Sequence, residues 1–416
     1  MRIVNFGSCN IDYVYKLEHI VREGETEHSY AEEVFPGGKG LNQSIAIARA
    51  GAKVWHAGCI GKNGGMLREV LADGGVDLDF LQTVDVPNGH AVIQVDDRGE
   101  NAIFIFTGAN GCFTVDYIEE TLSHFGEGDL LILQTEINNI DRIIDRAYAK
   151  GMQILLNPSP IDEAILKTDL QKISYLVLNE IEGEAISGQK QPSKIITWFK
   201  KEYPHLKTVL TLGDKGCMYF DGRETVFHPA FEVRAVDTTA AGDTFTGYFA
   251  AGLARGSSSN EILENACAAA ALAVAKKGAA PSIPLESEVK KALPTLHKKT
   301  DGREKPEKVS KEVIDGYIDA NLASADLGGL AKELGYSPVY TGHLVKKATG
   351  VAFSRYLLEK RCRAAAEILR KSDLPVGAVI EKVGYSNESY FREAFREIYG
   401  VGPAAYRKMM KTKGGK

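Results

Sequence analysis

The chain has 416 residues, of which 44% are hydrophobic, 25% charged and 8% aromatic, a balance that excludes a disordered, collagen-like or coiled-coil protein and suffices for more than one core. The net charge of −5 conceals an asymmetry: residues 1–300 carry 29 Lys+Arg against 40 Asp+Glu, whereas residues 301–416 carry 21 against 15, so only the C-terminal part suits a polyanionic partner. The longest apolar stretch, 266–275, stops at Lys276-Lys277 and is far shorter than the ~20 residues that span a bilayer, so no membrane association is expected.

The opening Met1-Arg2-Ile3-Val4 lacks the apolar core of a signal peptide, and a cytoplasmic location is the expectation. From there to about residue 295, β-rich apolar runs alternate with helical patterns. The runs are Ile3–Gly7, Val54–Gly58, Ala91–Val95, Ile103–Thr107, Leu130–Gln134, Ile154–Asn157, Tyr175–Asn179 and Val209–Leu212, with helices over 115–124, 139–150 and 192–202 between them. Several runs are too continuous to be half exposed, as in buried parallel strands, which predicts an α/β fold with helices on both faces of a mainly parallel sheet. Segments 12–36 and 88–107 alternate apolar with polar residues around Pro87-Asn88-Gly89 and Asp97-Arg98-Gly99. They predict a small antiparallel lid outside the main sheet. The six cysteines, Cys9, Cys59, Cys112, Cys217, Cys267 and Cys362, have no C-x-x-C spacing and read as reduced packing residues.

Two elements of this part carry chemistry. Gly37-Gly38-Lys39-Gly40-Leu41-Asn42-Gln43 precedes a predicted helix over 44–50 and is by itself a weak signal for phosphate or hydroxyl binding. Asp237-Thr238-Thr239-Ala240-Ala241-Gly242-Asp243-Thr244-Phe245 lies between a predicted strand, Phe231–Ala235, and a predicted helix, Thr244–Arg255. Small residues let backbone N–H groups converge on an anion at the helix N-terminus, and a carboxylate there is available as a base. Phosphoryl transfer needs that combination, although Gly-Asp-Thr alone more often marks an ordinary strand-to-helix turn.

Between about 285 and 308 the composition shifts to Lys, Glu, Pro and Gly, with a linker over 296–308 separating a domain of residues 1–295 from one of residues 309–416. The second domain shows only helical patterns, over 309–321, 326–334, 338–348, 352–371, 376–382, 387–398 and 404–411. Leu334-Gly335-Tyr336-Ser337 and Val383-Gly384-Tyr385-Ser386, 49 residues apart, imply two helix–turn–helix copies with Ser capping the second helix of each.

Residues 1–295 resemble the ribokinase branch of the PfkB family of carbohydrate kinases. The resemblance rests on Asn10-Ile11-Asp12, the 37–43 loop, Gln134-Thr135-Glu136, Asn157-Pro158, Asn179-Glu180-Ile181-Glu182, Thr211-Leu212-Gly213-Asp214-Lys215-Gly216, the 237–245 element and Gly278-Ala279-Ala280-Pro281-Ser282. It implies an ATP-dependent kinase of a primary sugar hydroxyl, on a pentose such as ribose, that uses Mg2+ and K+ and pairs with a second subunit. By the same resemblance Asp243 is the base and Ala240, Ala241 and Gly242 form the anion hole. Asn10, Asp12, Gly38, Lys39, Asn42 and Glu136 bind the sugar, and Asn179, Thr211, Gly213 and Gly216 bind ATP. Glu182 serves Mg2+ through water, and Asp237, Thr239, Ala273, Lys276, Gly278 and Ser282 surround K+. Two positions depart from close relatives: Thr135 replaces an apolar residue, and Cys267 replaces a larger polar residue beside the nucleotide base.

Residues 309–408 resemble the DNA-binding domain of AraC/XylS-type transcription regulators, through Gly384-Tyr385-Ser386-Asn387-Glu388-Ser389-Tyr390-Phe391-Arg392-Glu393-Ala394-Phe395, Tyr399-Gly400-Val401-Gly402-Pro403 and the 356–366 helix. In that design two helices enter successive major grooves of double-stranded DNA. Val339, Gly342, His343, Glu388, Ser389 and Arg392 would face bases, with Lys346, Lys347, Arg396, Arg407 and Lys408 on phosphates. Thr341 and Val345 stand where the family has Leu and Phe, Glu393 stands where Arg is common, and Gly342 and Gly328-Gly329 add a helix cost of ~1 kcal/mol each. Three functions remain open at this point: a sugar kinase that also regulates transcription, a regulator whose kinase fold only senses sugar, and a kinase whose tail binds protein.

Overall fold

The continuous apolar runs become the interior strands of a nine-stranded sheet in the computed structural model, which describes residues 1–96, 101–163, 165–299, 310–334, 338–385 and 387–413, with side chains defined for all of these except 338–340, 343, 412 and 413. Asp97-Arg98-Gly99, most of the predicted linker, Gly335-Tyr336-Ser337 and Ser386 therefore lie outside the described residues. The chain divides into two units, Met1–Arg303 and Glu304–Lys416.

The first unit contains β1 (Ile3–Phe6), β2 (Asn10–Lys16), β3 (Ala31–Gly37), α1 (Lys39–Arg49), β4 (Val54–Gly61), α2 (Gly65–Asp73), β5 (Leu81–Val84), β6 (Gly89–Val95) and β7 (Asn101–Phe106). There follow α3 (Val115–Ser123), β8 (Leu130–Leu133), α4 (Ile140–Ala149), β9 (Gln153–Leu156), β10 (Tyr175–Asn179), α5 (Glu180–Ser187), α6 (Pro192–Glu202), β11 (Lys207–Thr211), β12 (Gly216–Phe220) and β13 (Thr225–Pro229). It closes with α7 (Ala241–Arg255), α8 (Ser259–Val274) and α9 (Glu286–Ala292).

The main sheet has the order β13-β12-β11-β10-β9-β8-β1-β4-β5, parallel from β11 to β5, with β12 and β13 added antiparallel at one edge. Alternate residues of its strands supply two cores. Ile3, Leu130, Ile132, Leu155, Val177 and Val209 pack against α1, α7 and α8, while Val4, Phe6, Leu131, Leu133, Leu156, Leu178 and Leu210 pack against α3, α4 and α6. Burial on both faces is why these runs carry no polar alternation. Succession along the sheet reverses at β1, which lies between β8 and β4, and ligands of open α/β sheets bind outside the carboxyl ends of strands at such a point.

Segments 12–36 and 88–107 do form a separate sheet, of order β3-β2-β6-β7. The expectation of a purely antiparallel lid is corrected in one pairing: β2 and β6 run parallel from Asn10↔Gly89 to Lys16↔Val95. The predicted strand Phe231–Ala235 is also absent, for only Phe231 makes an isolated bridge, to Lys298. Its alternation has another cause, since Phe231, Val233 and Ala235 line a cavity.

The second unit is all helical: α10 (Lys311–Ala320), α11 (Leu327–Leu334), α12 (Pro338–Thr349), α13 (Phe353–Lys371), α14 (Val376–Lys382), α15 (Glu388–Tyr399) and α16 (Pro403–Lys413). The long helix α13 serves two cores in succession. Phe353, Tyr356 and Leu357 pack with Ile314, Ile318, Leu330 and Val345, and Leu358, Cys362 and Leu369 pack with Val379, Ile380, Phe391 and Phe395. Gly329 is not a mere cost to α11, because a Cβ there would lie 2.1 Å from the Tyr317 hydroxyl, which donates to Asp326 O. The expected Ser cap on the second reading helix is replaced by Asn387, whose side chain accepts from Tyr390 N. Among the described residues, no helix is long and apolar enough to cross a membrane.

Candidate active site

Helix α1 starts at Lys39, five residues earlier than the sequence suggests, because the glycine-rich loop is itself the first turn. Gly38 takes φ 98 at the N-cap, and a Cβ on Gly40 would lie 2.4 Å from the backbone of Gly7. Only glycine permits this approach, which carries Asn42 and Gln43 under the carboxyl end of β1. Likewise α7 starts at Ala241 rather than Thr244, and its N-cap Ala240 sits at φ 59. A non-glycine residue in the left-handed region is strained; of the first-turn N–H groups, Ala241 N donates to Thr238 O at 3.3 Å and Thr244 N to Ala240 O at 2.8 Å.

These two helix starts meet. Asn42 donates to Asp243 Oδ2 at 3.1 Å and Gln43 donates to Asp243 Oδ1 at 3.0 Å. Gln43 also donates to Asn157 Oδ1, and Gln134 donates to Gln43 Oε1 and Asn5 Oδ1. The carboxylate is 7% exposed and fixed through both oxygens by a buried amide chain. Asn42 Oδ1, in contrast, is buried without a hydrogen-bond partner, an acceptor suited to a ligand hydroxyl.

Around this pair stand the other predicted sugar residues. Glu136 accepts from Ser8 Oγ and from Lys39 N at 3.1 Å. Burial raises the pKa of Glu136 even though Ser8 and Lys39 oppose the shift. Asp12 is pushed up to about 7 by burial, with the charges of Glu136 and Asp243 adding to it. For Lys39 the burial penalty is outweighed by Asp243, Glu136 and Glu182, which hold the ammonium above its usual range. Asn10 is fixed by Asn110, whose Nδ2 donates to Asn10 Oδ1 at 2.7 Å and whose Oδ1 accepts from Cys9 N. Asn110 was not expected, since no motif surrounds it. Gln134 and Asn157 join the Gln43 network from just past β8 and β9, the carboxyl ends where an α/β sheet places its ligand-binding residues.

On the other side of the α7 N-terminus is a cavity of about 280 Å³, lined by Thr211, Gly213 and Gly216, three of the residues expected to bind ATP, by Ala241 and Gly242, and by the apolar Phe231, Val233, Phe245, Ala271 and Val274. Cys267 is also in its wall, and Asn179 and Ala240 are not part of the lining. Asn179 and Glu182 form a capping box on α5: Glu182 Oε2 accepts from Asn179 N, Oε1 accepts from Asn179 Nδ2, and Asn179 Oδ1 accepts from Glu182 N. Both Glu182 oxygens are thus occupied, which suits holding a metal's water better than binding the metal itself.

The predicted cation residues lie before α7, at the end of α8 and in the segment after it, and these stretches are laced together. Asp237 accepts from Thr239 N and Oγ1 and from Gly278 N, Asp237 N donates to Val274 O, and Lys276 N donates to Ala273 O. Ser282 Oγ donates to Ala279 O. One carboxylate among neutral oxygens fits a hard cation of low charge. The Lys276 side chain points elsewhere, pairing with Glu288 at 3.1 Å.

In the second unit Arg392 and Glu388, both expected at bases, are paired with each other at 2.8 Å on the exposed face of α15, with Ser389 also exposed. Lys346, Lys347 and Arg396 are exposed, and Gly342 is half-buried on α12. The side chains of Val339 and His343 lie outside the described set. Arg407 is turned back, donating to Leu374 O at 2.5 Å, so its guanidinium is drawn toward the protein instead of standing free for phosphate. Thr341 is buried with an unpartnered hydroxyl, the polar cost of a residue standing where an apolar one would pack.

Known proteins place both units. Residues 1–286 match the pfkB family of carbohydrate kinases, and residues 330–409 match a helix-turn-helix domain. The ribokinase of Haemophilus influenzae is 34% identical over 294 residues, which is 68% of this chain and 95% of that one. The ribokinase of Cryptococcus neoformans, solved with ADP, superposes with a TM-score of 0.63 at 33% identity over 70% of this chain and 99% of its own. The Arabidopsis thaliana ribokinase, solved with ribose and ATP, gives a TM-score of 0.63 at 31% identity, over 70% and 98%. The chain therefore belongs to the pfkB family of carbohydrate kinases, as an ATP:sugar phosphotransferase of the ribokinase kind extended by an AraC-type helix-turn-helix domain.

Proposed function

We propose that residues 1–295 phosphorylate a primary hydroxyl of a free pentose, ribose first among them, and that residues 309–416 bind duplex DNA and regulate transcription of sugar metabolism. The observation that carries the first half is the Asp243 carboxylate, clamped by Asn42 and Gln43 at the N-terminus of α7 with an apolar cavity behind it. Asp243 accepts the proton of the attacking hydroxyl, while the first-turn N–H groups of α7 stabilise charge on the transferring phosphoryl group. Asp12, Asn10, Asn42 and Glu136 take up sugar hydroxyls, and the lysine of the glycine-rich loop balances their charge.

The base of ATP occupies the cavity between Gly216, Phe231 and Ala271. Glu182 would hold Mg2+ through water, and the ion would supply positive charge to the phosphates there. The segments of Asp237 and Gly278 would hold K+, which would add positive charge beside the anion-binding helix start. Ile103, Phe104, Ile105 and Phe106 on β7 are about half exposed, an apolar strip on the lid that supports pairing with a second copy.

The test is a screen of ATP consumption by the purified full-length protein over pentoses and hexoses. Sugar-dependent ADP release greatest with ribose is expected. Absence of turnover with every sugar, together with sugar binding, would leave a sensor in place of an enzyme.

A further inference from the structure

Cys267, in the wall of the nucleotide cavity, has its sulfur 3.7 Å from that of Cys217, which is not part of the lining. Both are free thiols, Cys217 on β12 and Cys267 on α8. Cys267 lines the cavity; Cys217 follows the cavity residue Gly216 in the chain. Directly opposite Cys217 in the antiparallel register is His228, so the two side chains share a face of the sheet. His228 is 7% exposed, and neither ring nitrogen has a hydrogen-bond partner of ordinary geometry.

The pair has a direction. The contact with Cys217, helped by His228 and Lys298, holds Cys267 below the usual thiol range, and the contact with Cys267 together with burial holds Cys217 above it. The nucleophilic sulfur thus faces the cavity and the protonated one stands behind it. Elsewhere burial pushes Cys59 up to about 12 and Cys362 up to about 11, so neither is a comparable attacking group.

We propose that Cys267 and Cys217 are an oxidisable pair in which a peroxide closes a disulfide that weakens nucleotide binding; the regulatory part rests on reading the cavity as the ATP site. The Cys267 thiolate attacks one oxygen of hydrogen peroxide. An S–O bond forms, the O–O bond breaks, and the departing hydroxide takes a proton to become water. Cys217 sulfur then attacks Cys267 Sγ; the S–S bond forms, the S–O bond breaks, and hydroxide leaves with the Cys217 proton as a second water. Two thiols lose two electrons in all, and one peroxide is reduced to two waters.

A disulfide needs the sulfurs at ~2.05 Å, so closure draws Cys267 out of the cavity wall toward β12 and the adjoining Gly216. A nucleotide over Cys267 conversely shields it from oxidant, and at equilibrium bound nucleotide must disfavour the disulfide by the same factor by which the disulfide weakens nucleotide binding.

The experiment treats full-length protein with hydrogen peroxide, with and without ADP, and reads intact mass, peptide maps and the KM for ATP before and after dithiothreitol. The expected result is loss of two hydrogen masses mapped to a Cys217–Cys267 peptide, slowed by ADP but not by ribose. The KM for ATP should rise by about tenfold, the scale of one lost well-packed contact, with the ribose KM unchanged, and dithiothreitol should restore it. Cys217→Ser should keep reduced-state turnover and instead gain oxygen on Cys267 that dithiothreitol does not fully remove. No disulfide at these positions, or a disulfide that leaves the ATP KM unchanged, overturns the proposal. If the reduced protein has no ATP-dependent turnover the functional reading falls, and the mass of the oxidised protein still decides the thiol chemistry.

Discussion

Asn42 donates its side-chain amide to Oδ2 of Asp243 at 3.1 Å across 201 residues of sequence, joining the first turn of α1 to the first turn of α7. With Gln43 on the other oxygen, the carboxylate cannot rotate away from the helix N-terminus. Asp243→Asn keeps the size and removes the proton acceptor. Its kcat should fall by about 10³-fold or more while ribose binding, read by calorimetry, changes little, because the lost interaction acts in the transition state. Near-normal turnover in this variant would remove Asp243 from the role of base.

Acidity should be visible in the same site. Burial, with Glu136 and Asp243 nearby, pushes the Asp12 carboxyl up to about 7 in the free protein, and only the ionised form accepts hydroxyl hydrogen bonds at both oxygens with full charge. The value of kcat/KM for sugar should therefore fall by about tenfold per unit below pH 7, and the limb should vanish in Asp12→Asn, whose activity is low throughout. The sign for stability is the opposite one. A carboxyl raised in the folded state stabilises at low pH and loses that contribution as pH rises through 7, so the sugar-free protein should gain Tm on acidification from pH 8 to 6 in a way that Asp12→Asn does not.

At the loops proposed to hold K+, Asp237 is lowered against the effect of burial by hydrogen bonds from Thr239 and Gly278, which keep it ionised across the working range. Replacing K+ by a large organic cation should reduce kcat more than sugar affinity, and Asp237→Ala should abolish the difference between the two salts. Equal stimulation of Asp237→Ala and the parent protein by K+ would exclude this carboxylate from the cation site.

Much of this site was legible because its parts are backbone-defined. Ile3–Phe6 and Leu130–Leu133 are buried on both faces and read directly as parallel strands, and the glycines of 37–43 and the small residues of 237–245 announce helix starts that approach a ligand. The helix boundaries failed for the same reason: Gly38 and Ala240 turn in the left-handed region, and a glycine-rich segment that is already helical looks like a loop. Phe231–Ala235 failed because extended chain lining a cavity has the period of a strand without a partner. Asn110 gave no signal, since its bond to Asn10 crosses 100 residues and depends on the lid's position. In the second unit the outward direction of α15 was legible, but the turning back of Arg407 onto Leu374 was not, because a long flexible side chain is placed by packing.

For DNA recognition, Arg392 must leave Glu388 to meet a base edge, and the exposed pair offers little resistance. Arg392→Ala should cost about 1–3 kcal/mol at a selected operator and relax one base step, with non-specific binding and its salt slope nearly unchanged. Lys346→Ala should do the reverse, lowering affinity for all sequences and flattening the salt dependence by about one charge. Titrations of the full-length protein against selected and scrambled duplexes at several salt concentrations separate the two behaviours.

The stability of the whole second unit should hinge on Arg361. It is 8% exposed on α13, where its Nε donates to Leu322 O at 2.8 Å and its Nη2 donates to Ala323 O at 2.9 Å, while the guanidinium lies 5.2 Å from the centre of the Tyr385 ring. The loop it holds joins α10 to α11, the first helix of the first helix–turn–helix, and Tyr385 belongs to the turn of the second, so one fork ties the two readers to the helix between them. Arg361→Ala leaves those carbonyls without a buried partner and should cost about 3 kcal/mol, lowering the Tm of this unit by about 15 °C. Arg361→Lys keeps the charge but loses the planar fork and should fall between the two. Kinase turnover should be unchanged in both, while affinity for an operator with two half-sites should drop more than affinity for either half alone. Calorimetry and duplex titration check this, and equal losses on the single and double sites would mean that Arg361 stabilises the fold without setting the spacing of the readers.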